Sequence, residues 1–71
     1  MNNVNILNKT MRRNIEMLCN EKKLTESKLA EKINIKKSDL KEPIKKLRVN
    51  SIFAICKVLD IELSDLFKGV E

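Results

Sequence analysis

The 71-residue chain has no histidine, tryptophan or tyrosine, one glycine (Gly69), one proline (Pro43) and two cysteines (Cys19 and Cys56). Without histidine there is no imidazole for general base work or metal ligation. A structural zinc site needs about four Cys, His or carboxylate ligands at characteristic spacing, and the cysteines lie far apart in sequence. No metal is therefore expected. Two buried thiols packing as small hydrophobes is the plainer reading of Cys19 and Cys56, with a disulfide between them as the alternative. There is no glycine-rich phosphate loop and no nucleophile–base pair, so neither enzyme activity nor a cofactor is expected. No apolar run approaches membrane-spanning length and none has the form of a signal peptide, which leads to a cytoplasmic protein with no membrane partner.

What the chain has in quantity is lysine. The formal net charge is +5 and the pI about 9.4, a balance that favours an acidic partner. Its distribution is uneven. Residues 9–23 carry five basic and two acidic side chains, and residues 36–48 six basic and two acidic. Residues 24–35 balance, and residues 49–71 net to −2. The abundance of Lys, Asn and Ile is also what an AT-rich genome produces, so any single lysine is better read as solvating a helix. The two positive blocks are the more informative feature. Seventy-one residues make one domain, which buries only about 60% of its unfolded surface and needs a dense core or a partner.

Apolar residues recur at helical spacing throughout. Met11, Ile15, Leu18 and Cys19 mark a first helix over residues 10–22, with Thr10 as its N-cap. Thr25 caps a second helix through Lys32 whose buried face is Leu29, Ala30 and Ile33, and Asn34 supplies the left-handed stop. A third helix runs from Lys37 to Glu42 with Leu40 inward. Pro43 either ends it there or lies in the first turns of a helix continuing through Leu47. A fourth begins at Asn50 or Ser51 and runs to Leu59 on Ile52, Ile55, Cys56 and Leu59, with Phe53 and Val58 widening the stripe. A short fifth ends in Leu66 and Phe67, and Gly69 is its stop. The expected organisation is all-α: a flexible arm over residues 1–9, a compact five-helix domain over 10–68 and a tail over 69–71.

The decisive stretch is LTESKLAEKINIKKSDL, residues 24–40. A helix-turn-helix needs a small residue facing the partner helix, a turn residue tolerant of positive φ, and apolar residues clamping both helices. Ala30, Asn34 and the set Leu29, Ile33, Ile35 and Leu40 meet those needs. This segment, with IFAICKVLDIELSDLF at residues 52–67, resembles the phage-repressor, Cro-like (XRE-type) family, whose members read like "LTQxELAxxxGVS" and close on a helix of the type "L..I..AL.V...LF". The resemblance spans residues 11–67. It implies a lambda-repressor-like fold whose third helix enters the major groove of double-stranded DNA. The family's base-facing positions fall on Lys36, Lys37, Ser38 and Lys41. Phosphate contacts would come from Lys45, Lys46 and Arg48, with Thr25 and Lys28 on the second helix and, more weakly, Arg12, Arg13, Lys22 and Lys23. It also implies a homodimer, for which Val58, Phe67 and Val70 are the candidate interface residues, with Phe53 to be watched alongside them.

The chain departs from the family pattern at several points. Glu26 stands where a neutral amide usually approaches phosphate. Asp39 and Glu42 lie within the recognition segment, Pro43 replaces a large apolar residue, and the following link is about three residues short and lacks glycine. An Arg–Glu pair of the family falls on Cys19 and Ile44, a paired loss that an apolar core tolerates. The leading expectation is a sequence-specific DNA-binding repressor. The alternative is a repressor-like fold reused to bind protein, as an antitoxin, an anti-repressor or an inhibitor of a host defence protein.

Overall fold

A computed structural model of the chain describes residues 3–69. Five α-helices follow one another among these residues: α1 (Asn3–Glu21), α2 (Glu26–Lys32), α3 (Pro43–Lys46), α4 (Val49–Leu59) and α5 (Leu63–Leu66). A five-residue 3-10 helix, Lys37–Lys41, lies between α2 and α3. The core is built from Met11, Ile15 and Cys19 of α1, Leu29 and Ala30 of α2, Leu40, then Ile55, Cys56, Leu59 and Leu66. The apolar spacing on α1, α2 and α4 thus forms the core it implied. Both thiols are free and buried. No helix among the described residues is long and apolar enough to cross a membrane.

The first helix begins two turns earlier than its apolar stripe suggested. Residues 3–9 are helical rather than a flexible arm, and Thr10 is a buried residue inside α1 rather than its cap. The reason lies in tertiary contacts. Asn8 is buried, and its Oδ1 accepts a hydrogen bond of 2.7 Å from the backbone N–H of Ile44. Six residues further on, buried Asn14 donates from Nδ2 to the carbonyls of Leu66 (2.7 Å) and Lys68 (2.9 Å). One long helix therefore caps the start of α3, which has no side-chain cap of its own, and satisfies carbonyls at and just beyond the end of α5.

Three connections share one device. Lys23, Asn34 and Asp60 adopt positive φ (56°, 60° and 56°). In each case the next residue donates back across the helix end: Leu24 to Cys19, Ile35 to Ala30 and Ile61 to Cys56, all at 2.9 Å. This is the six-to-one bond of a left-handed helix stop. The acceptor residue is small and buried each time, and the residue whose backbone N–H donates carries an aliphatic side chain packed against the core. The cysteines therefore occupy the same structural position as Ala30.

Pro43 explains the break in the third helical region. It has no N–H to return to the carbonyl four residues back, and its ring pushes Glu42 out of helical conformation, to φ −134° and ψ 62°. The expected helix Lys37–Glu42 is consequently a 3-10 segment ending at Lys41. Pro43 takes the first position of α3, where its fixed φ is favourable. The helix before α5 also differs from expectation: α4 starts at Val49, with Arg48 rather than Asn50 or Ser51 at its N-cap. Phe53 and Val58 do not widen its buried stripe; they are 53% and 37% exposed.

Candidate nucleic-acid interface

The turn between α2 and the 3-10 segment is set by local chemistry. Thr25, in extended conformation, accepts the N–H of Lys28 at 3.1 Å and caps α2. At the other end, Ile33 and left-handed Asn34 close the helix, and Ile35 returns to the core. Lys36 is extended at the mouth of the 3-10 segment, and Asp39 donates its N–H to Lys36 O at 3.0 Å. Two short helical pieces are thereby joined at a fixed angle over a four-residue link, with Leu29, Ala30 and Leu40 as the clamp between them.

Around this clamp, Lys36, Lys37, Ser38 and Lys41 are all exposed, as are Thr25 and Lys28. Lys45, Lys46 and Arg48 are exposed too, on and just after α3. Ser38 and Lys41 sit three residues apart on a 3-10 helix and so align along it. Lys45 Nζ lies 3.9 Å from Glu42 Oε1 in an exposed pair, which partly occupies one of the cations expected to meet phosphate. Arg12, Arg13, Lys22 and Lys23 are exposed on or just beyond α1.

Lys37, Thr25 and Glu26 line one cleft with Glu16, Asn20 and Lys23, where the ends of α1, α2 and the 3-10 segment meet. Glu26 is half-buried in the first turn of α2, where a carboxylate complements the helix terminus. Burial, and then the negative charge of Glu26, push the Cys19 thiol up from its ordinary value. Burial and Asp65 do the same to Cys56, opposed by a backbone hydrogen bond. Among the residues expected at a dimer interface, Val58 is exposed and Val70 lies outside the described residues. Phe67 is half-buried and packs against the core, so it completes the monomer rather than standing free.

Asn8 and Asn14 organise the site's supports and were not singled out by the sequence. Nothing in an Asn-rich segment separates an inward amide from a solvated one. The signal available in retrospect is their six-residue separation, which places them on different faces of α1.

Two helices at a fixed angle about a left-handed turn, with a row of cations beyond it, define a helix-turn-helix. Residues 14–71 match the family model described as the Cro/C1-type HTH DNA-binding domain, and the chain belongs to that family. Comparison with curated proteins and with solved structures returned no match.

Proposed function

We propose that the protein is a transcriptional repressor that binds a specific duplex sequence as a homodimer. In this reading Lys36, Lys37, Ser38 and Lys41 face base edges in the major groove. Lys45, Lys46, Arg48, Thr25 and Lys28 hold the phosphates, and the two copies reach half-sites about one helical turn apart. The observation that carries it is the Thr25–Leu40 unit itself: a capped α2, a left-handed Asn34 and a buried Leu40, with every proposed base-facing cation exposed beyond them. The protein works in the cytoplasm on this reading, with no cofactor.

Fluorescence anisotropy on a random duplex pool across a salt series tests it. Binding should weaken steeply with salt and be lost in Lys37→Glu/Lys41→Glu. No binding at low salt would remove the regulator reading.

The second reading, a protein-binding module serving as antitoxin, anti-repressor or inhibitor of a defence protein, draws on one specific observation. The segment that should enter the groove is a five-residue 3-10 helix broken at Glu42, not a full α-helix. Under this reading, affinity for the partner depends on exposed apolar groups such as Val49 and Phe53 and responds weakly to salt.

A further inference from the structure

A second cationic site lies away from the turn. On α1, Asn5, Asn8, Lys9 and Arg12 fall at helical spacings of three and four, and so share one face. This face packs towards the end of the 3-10 segment, where Lys41 and Glu42 complete a cleft of about 380 Å³ with the four α1 residues. Lys9, Arg12 and Lys41 against Glu42 give its walls a formal charge of +2. The one carboxylate is already engaged with Lys45 at 3.9 Å. The Arg12 guanidinium is only loosely held, with Nε 3.8 Å from Glu16 Oε1 in a half-exposed pair, an arrangement too weak to withhold it from a stronger anion.

Asn8 adds an independent indication. Its Oδ1 is committed to the Ile44 N–H, and its Nδ2 is buried without any hydrogen-bond partner. Buried amide donors are almost always satisfied, so the missing acceptor asks for an explanation. Asn8 is one of the residues lining the cleft, so an anion seated among Lys9, Arg12 and Lys41 lies next to this side chain.

We propose that the cleft between the first half of α1 and the Lys41–Glu42 corner seats a backbone phosphate of the bound duplex, with Lys9, Arg12 and Lys41 as its cationic walls. The inference rests on the DNA-binding reading and extends it: the footprint runs past the recognition segment onto α1. Lys41, which also lines the cleft, stands at the boundary between the two sites.

The test compares the salt dependence of affinity for one defined duplex between the wild-type chain and Lys9→Gln/Arg12→Gln. Lys57→Gln/Lys68→Gln makes the same charge change outside the cleft, and thermal melts check that every variant is folded. Loss of one phosphate contact should make the slope of log K against log salt shallower by about 0.9 in the cleft variant and leave it unchanged in the control pair. In the wild-type protein, the Asn8 side-chain amide resonance should also move when duplex is added. If the wild type binds but both pairs of substitutions give its slope, or both lower it equally, the cleft assignment is overturned while the DNA-binding reading stands. A wild type that does not bind overturns both.

Discussion

At the scale of single residues, the protein places non-glycine side chains where glycine is usually found. Left-handed Lys23 and Asp60 each carry a steric cost of about 1–2 kcal/mol, which the extra chain entropy of glycine offsets only by about 0.5–1 kcal/mol. Lys23→Gly and Asp60→Gly should therefore each stabilise by about 0.5–1 kcal/mol, raising the melting temperature by a few degrees for a domain of this size. Thermal denaturation checks both. Asn14 has the opposite character, because two carbonyls depend on its one amide group. Asn14→Ala should destabilise by about 1–3 kcal/mol in urea unfolding. The cysteines contribute a pH dependence. Both thiols are raised above 9.0 in the folded state, so folding holds them neutral. Their contribution is complete below the unfolded value and is lost as pH rises past 9.0 towards the folded values. Stability should fall across this alkaline range, and Cys19→Ala/Cys56→Ala should flatten that part of the profile.

At the scale of elements, α3 shows how a four-residue helix persists without a cap of its own. Glu42 precedes it with no side-chain cap, and Asn8, thirty-six positions from the Ile44 whose N–H it accepts, takes that role. Asn8→Ala should cost about 1 kcal/mol. The loss is limited because the same substitution removes the unpartnered Nδ2. Hydrogen exchange at the Ile44 amide should accelerate well beyond that at core amides of α4. The elements that local chemistry determines were legible in the sequence: Thr25 as cap, Asn34 as stop, and the apolar stripes of α2 and α4. The start of α1 was not, because Asn is a poor helix former and the contact that anchors this stretch, Asn8 to Ile44, joins residues far apart in sequence. The recognition segment was half legible. Pro43 announced a break, but whether the residues before it wind as α or 3-10 depends on how Leu40 meets the core.

For the whole molecule, the main division is between a lysine-rich corner formed by the 3-10 segment and α3 and an apolar outer face on α4. Val49 and Phe53, four residues apart, are 65% and 53% exposed, and Val58 lies further along the same helix. A homodimer that uses this face should respond to Phe53→Glu, and one that uses the opposite face of α4 to Val58→Glu, with a shift towards monomer in sedimentation equilibrium. A wild-type chain that stays monomeric at all concentrations would contradict the dimer. Glu26, one of the departures from the family pattern, is half-buried beside Cys19 and at its own helix terminus, where a carboxylate complements the helix dipole.

Whether the Thr25–Arg48 surface meets DNA is decided by amide chemical-shift mapping of the full chain as a duplex is titrated in at low salt. The largest shifts should fall on Thr25, Lys28 and residues 36–48, and fade as salt is raised. Shifts that are absent there, or confined to the outer face of α4 around Val49 and Phe53, would contradict it and transfer the function to a protein partner.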